Sequence, residues 1–92
     1  MSRYVVVKRI VLEARHQPTG KTRHYHGKRE LPPAAVLKIG KYDGEEGFYL
    51  FYFDADGHEL TDTFHDTLEE ALAQAEWEYG VEPDEWRAGD VH

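Results

Sequence analysis

The chain has no cysteine, which excludes disulfides, a thiolate nucleophile and cysteine-bound zinc together. Serine is nearly as scarce: Ser2 is the only one. A threonine nucleophile would need dedicated activation, and no motif supplies it. Long apolar runs are also missing. The longest is Phe48, Tyr49, Leu50, Phe51, Tyr52 and Phe53, far short of the roughly 20 residues that span a bilayer. The N-terminal stretch lacks the apolar core and small-residue cleavage site of a signal peptide. These absences lead us to expect a cytoplasmic protein. Basic residues nearly vanish after residue 42, where Arg87 stands alone against sixteen acids.

What is present describes one domain, residues 1–92, with 40% hydrophobic and 13% aromatic residues. Such a length supports one modest core, not separate cofactor and substrate domains. The net charge of −7 conceals a split. Residues 1–42 carry ten Lys/Arg and two acids, +8; residues 43–92 carry one Arg and sixteen acids, −15. A split of this kind can steer a charged partner, although exposed charge pairs each contribute little to stability.

The most legible stretch is residues 47–80. Apolar residues on both faces of 48–53 predict a strand covered on both sides, and a second apolar face would suit a homodimer. Asp54-Ala55-Asp56-Gly57 supplies turn chemistry. Residues 59–65 read as the returning strand, with Leu60, Asp62 and Phe64 on one face. Thr67-Leu68-Glu69-Glu70 is a capping box, with Asp66 as the alternative cap. Leu68, Ala71, Leu72, Ala75 and Tyr79 form one apolar helical stripe, and Trp77 points away from it. Gly80 and Pro83 end the helix.

Upstream, residues 3–15 read as a strand with Tyr4, Val6, Ile10 and Leu12 on one face and a bulge or end near Lys8. Residues 16–33 form a basic connection, read as a loop or as a hairpin turning at 18–21. Residues 34–42 form the next strand, joined to 48–53 by the turn 43–47. The expected architecture is α+β: an antiparallel sheet of three to four strands with one C-terminal helix on one face, in the order β-β-β-β-α. Residues 81–92 are an acidic tail anchored by Trp86.

Candidate chemistry is thin. His16, His24 and His26 have a spacing that can share zinc, but Lys21, Arg23, Lys28 and Arg29 around them oppose a cation. Calcium fits the 54–59 turn poorly: with Gly57 at loop position six, Tyr52 and Thr63 occupy positions that need carboxylates. Asp62, His65 and Asp66 could orient a base. Asp62 more simply bonds backbone and Asp66 caps the helix, so a non-enzymatic protein with no cofactor is expected. Lys21, Arg23, Tyr25, Lys28 and Arg29 form the alternative, a nucleic-acid contact of cations around a stacking ring. The acidic remainder of the chain would repel nucleic acid.

The leading expectation is a surface for a basic protein partner. Trp77 and Trp86 would anchor it, with Glu76, Glu78, Glu82, Asp84 and Glu85 as the acidic rim. The pattern YLFYFDADGHELTDTFHDTLEEALAQAEWEYG, Tyr49 to Gly80, resembles small bacterial proteins of unassigned function and the immunity-type proteins that neutralise toxins. The resemblance implies an immunity or inhibitor role, covers about a third of the chain and carries no catalytic motif.

Overall fold

The computed structural model describes residues 4–13, 15, 16, 25, 26, 29, 30 and 34–88, with the backbone alone for 25, 26, 29 and 30. In chain order the elements are β1 (Tyr4–Val11), β2 (Tyr25–His26), β3 (Arg29–Glu30), β4 (Val36–Tyr42), β5 (Phe48–Phe53) and β6 (Glu59–His65). Helix α1 (Leu68–Tyr79), a 3-10 turn (Pro83–Glu85) and β7 (Arg87–Ala88) complete it. The main sheet has five strands in the order β6-β5-β4-β1-β7, every neighbouring pair antiparallel. The expected α+β plan with a C-terminal helix holds, but the sheet has five strands rather than three to four. Strands β2 and β3 form a separate small ladder, with Tyr25 opposite Glu30 and His26 opposite Arg29. The expected turn at 18–21 lies outside the described residues.

The fifth strand comes from the tail. Gly80 takes a left-handed conformation at φ 69°, which only glycine adopts without strain, and its N–H donates to the Glu76 carbonyl at 2.9 Å. The chain then reverses. Val81 is buried, Pro83 opens the 3-10 turn, and the Glu85 carboxylate accepts the Glu82 N–H at 2.8 Å. The reversal drops Trp86 into the core and lays Arg87 and Ala88 along Arg9 and Lys8 of β1. Thr67 caps helix α1 as the sequence indicates, its Oγ1 accepting the Glu70 N–H at 3.1 Å, but the reciprocal half of the expected capping box is displaced: the Glu70 carboxylate accepts the N–H of Asp66, one residue before the cap, at 3.3 Å.

Two bulges change which residues share a face. In β1 the register passes from Val6 opposite Gly40 to Lys8 opposite Ile39, so Val7 is the extra residue. Ile10 therefore faces the helix with Leu37, while Tyr4 and Val6 face away. The four residues expected on one side are split. In β6 the register passes from Thr61 opposite Tyr52 to Glu59 opposite Phe53, which leaves Leu60 as the extra residue. Leu60 packs on the core and Phe64 lies 52% exposed on the outer face, so these two do not share a side either.

The core beneath the helix joins Ile10, Leu37, Ile39, Leu50 and Tyr52 of the sheet to Ala71, Ala75 and Tyr79 of α1, and to Val81 and Trp86. Tyr79 fixes the segment before β4 by accepting the Ala34 N–H on its hydroxyl at 2.9 Å. On the outer face an aromatic layer covers itself. Phe51 points away from the helix yet is only 1% exposed, because Tyr4, Tyr42, Tyr49 and Phe53 surround it. Tyr4 stacks on it at a centroid distance of 4.6 Å. The two apolar faces of β5 are thus met by two different layers, α1 on one side and neighbouring rings on the other.

Gly40 makes the aromatic layer fit. A Cβ there would stand 2.7 Å from Tyr4 Cδ2 and 3.0 Å from Phe51 Cε2. Gly40→Ala must push both rings outward, and we expect it to destabilise the fold by about 1–3 kcal/mol in urea denaturation. An unchanged midpoint would mean that the rings do not lie over this backbone.

Candidate functional site

The amphipathic geometry of α1 decides which of its residues can meet a partner. At about 100° per residue, Glu69, Glu70, Ala73, Glu76 and Trp77 fall on one arc, and Ala71, Gln74, Ala75, Glu78 and Tyr79 on the opposite one. The burial follows: Trp77 is 43% exposed, and Glu69, Glu70, Ala73 and Glu76 are exposed around it. Glu82 and Asp84 are exposed on the segment that follows the helix. No Lys or Arg occurs between residues 66 and 86, so every Lys, Arg, Asp or Glu position on the helix and the turn after it is acidic.

Two residues expected in this surface belong elsewhere. Trp86 is 7% exposed and packs into the core, because the chain reversal at Gly80 points it inward. Glu78 is 4% exposed, because it sits three residues after Ala75 and seven after Ala71, on the face against the sheet. Tyr52 donates its hydroxyl proton to Glu78 Oε1, and Gln74 Nε2 donates to the same oxygen. Burial, then the hydrogen bond to Glu78, hold the Tyr52 phenol far above its ordinary pKa, so it remains a donor. Glu78 is a buried acceptor, not a rim charge.

Glu85 is also committed internally. Its Oε1 accepts from His16 Nε2 at 2.9 Å and pairs with Arg15 Nη2 at 2.6 Å. His16 is buried, and its Nδ1 accepts the Glu13 N–H at 3.0 Å, which puts the ring proton on Nε2, facing Glu85. His16 therefore closes the end of β1 onto the 3-10 turn and is spent as a ligand. His24 lies outside the described residues, as do the side chains of His26, Tyr25 and Arg29 and the whole of Lys21, Arg23 and Lys28. The histidine group weighed for zinc and disfavoured, and the alternative nucleic-acid group, thus fall largely outside the described residues.

Asp62 and His65 stand on opposite faces of β6. Asp62 is opposite Phe51 on the outer face, whereas His65 is opposite Phe48 on the helix side and bonds Thr63 Oγ1 at 2.8 Å. They do not form one acid–base pair. Burial lowers the His65 pKa, against the pull of Glu70, Glu78 and Asp66. Asp54, Asp56 and His58 bring three ligand atoms within 4.8 Å of one another. The geometry is that of a turn, since Asp54 Oδ1 already accepts the N–H groups of Asp56 and His58 at 2.9 Å each. Those bonds, the one from His58 first, hold the Asp54 carboxyl below its ordinary range.

Comparison with protein-family models, curated proteins and solved structures finds no match to this chain. Among the described residues, no helix is long and apolar enough to cross a membrane. The site that survives is the acidic outer side of α1 with Trp77 among its acids; Glu82 and Asp84 are exposed on the segment after it, where Glu82 neighbours Arg15 and His16. The sequence signal for Trp77 was helical phase. The same phase assigns Glu69, Glu70 and Ala73 to the surface and Glu78 to the interior, a step the acidic composition of the segment obscured.

The Glu85 carboxyl is held below its ordinary pKa of 4.5, by the Glu82 N–H first and then by His16 and Arg15. A depressed folded-state value means that the carboxylate stabilises the fold above pH 4.5 and loses this as pH falls through the folded value. Glu85→Gln should therefore lower Tm at neutral pH, and the gap from the parent protein should close in acid. A gap independent of pH would show that the charge of Glu85 does not matter.

Proposed function

We propose that this protein is a non-enzymatic binding module, cytoplasmic in setting, that docks a basic protein surface on the outer side of α1. The observation that carries this reading is Trp77, 43% exposed on a helix whose remaining outer residues are acids and an alanine. A large ring amid small and charged neighbours is the form of an interface anchor, and tryptophan is among the residues most enriched at such positions. Glu69, Glu70, Glu76, Glu82 and Asp84 form the rim, which accelerates encounter with a positively charged partner. Trp86 and Glu78, being internal, hold the helix in place behind it.

An inhibitor or immunity role is the specific form we favour. A basic partner is one whose own surface suits an anionic ligand such as nucleic acid, and an acidic helix competes for that surface.

The test is affinity capture from host extract on the immobilised protein, with Trp77→Ala and Trp86→Ala run in parallel. Retained proteins should be basic and should elute with salt. Trp77→Ala should weaken retention at least about tenfold at an unchanged Tm, the scale of a hot-spot truncation. Trp86→Ala should instead lower Tm. Retention untouched by Trp77→Ala, or unfolding of that variant, would contradict the proposal.

A further inference from the structure

The opposite edge of the sheet carries a feature that the acidic surface does not explain. Lys38 of β4 lies directly opposite Arg9 of β1, and Arg9 lies directly opposite Arg87 of β7. Directly opposed residues share a face, so three cations stand in a row across three adjacent strands. Like charges so placed destabilise a sheet unless an anion joins them. Among the described residues neither Arg9 nor Arg87 has an ion-pair partner, and Lys38 rests over the Phe53 ring, 4.8 Å from its centroid. Arg9 Nε is moreover fully buried with no hydrogen-bond partner. A buried guanidinium N–H without an acceptor is costly, and no described residue is placed to relieve it.

A cavity of about 350 Å³ adjoins this edge, lined by Arg9, Arg15 and Arg87 together with Glu13 and Glu85. The two carboxylates are already engaged, since both pair with Arg15, at 2.9 Å and 2.6 Å. Arg15 is thus shared between two acids, and the lining as a whole, three guanidinium groups against two carboxylates, keeps a net positive charge, with Arg9 and Arg87 the two cations that no described carboxylate touches. Ile10 and Val11 add apolar wall. We infer that this cavity binds a phosphoryl group, with the guanidinium forks of Arg9 and Arg87 closing on its oxygens. Two guanidinium groups on one cavity wall present many N–H donors in planar forks, which calls for an anion with several acceptor oxygens. A phosphate monoester, with three terminal acceptor oxygens, can take both forks at once, and a lone carboxylate with two oxygens cannot. The volume exceeds that of one ion and lies at the low end of small-molecule sites, so a small phosphorylated compound fits better than phosphate alone. The inference is independent of the docking surface on α1.

The test is isothermal titration calorimetry at low salt with inorganic phosphate, a ribose phosphate and a short single-stranded oligonucleotide. Saturable binding of either small probe, with Kd about 1 mM or tighter, is expected. Arg87→Ala should weaken it at least about tenfold while leaving the far-ultraviolet spectrum unchanged. Arg9→Lys, which keeps charge but loses the fork, should also weaken it. Without ligand, Arg87→Ala should raise Tm, because it removes a like-charge contact; a merely structural Arg87 would not behave so. Arg87→Gln replaces the alanine variant if that one fails to fold. Binding of inorganic phosphate alone would mark the ion as the ligand, and binding of the ribose phosphate alone would show that the organic body is needed; either supports the site. No saturable binding of either small probe, binding of the oligonucleotide only, or an affinity unchanged in Arg87→Ala and Arg87→Gln would overturn it.

Discussion

The hydrogen bond from Tyr52 to Glu78 fixes how the single helix sits on the sheet. Apolar contact alone would hold α1 loosely in rotation, since Leu68, Leu72, Ala71 and Ala75 offer a broad stripe with two small members. A carboxylate at 4% exposure tolerates far less freedom. It must keep its donors, Tyr52 beneath it and Gln74 one turn back, or remain buried and unsatisfied. Only one rotation of the helix meets that condition. The same rotation turns Trp77, Glu69, Glu70 and Glu76 outward. The polar contact inside and the proposed binding surface outside are two consequences of one helical phase.

The sheet is built to allow a single helix to suffice. One face packs against α1 and the returned tail, with Val81 and Trp86 of that tail joining the same core. The other closes over itself with aromatic rings, for which Gly40 clears the backbone. The two bulges, at Val7 and Leu60, redistribute side chains so that β1 and β6 serve both layers. The His16–Glu85 contact then ties the end of β1 to the turn that delivers β7. The price of this closure is the opposed pair Arg9 and Arg87, placed together by register and not by attraction.

Much of this architecture is legible in the residues. The capping threonine, the glycine at the helix stop, the acidic turn and the aromatic strand each announce their element, because each rests on local chemistry. Lys8 signals irregularity in β1, and the bulge falls beside it. What is not legible depends on register or on long-range contact. A bulge inverts every later side chain of its strand, so Leu60 and Phe64 cannot be assigned to faces from alternation alone. The fifth strand is two residues long and forms only because the tail returns to β1. Glu78 looks like one acid among many until helical phase is applied to it strictly. Trp86 resembles an exposed anchor until the reversal at Gly80 is seen. The pairing of Arg9 with Arg87 joins residues far apart in sequence, and no local pattern indicates it.

Control of the α1 rotation by the Tyr52–Glu78 bond can be measured by a double-mutant cycle with Tyr52→Phe and Glu78→Met in urea denaturation. A favourable coupling of about 1–3 kcal/mol is expected, with the double variant less destabilised than the sum of the two single ones. Additive losses would contradict it, since the two side chains would then be contributing separately and the orientation of the helix would have to come from its apolar stripe alone.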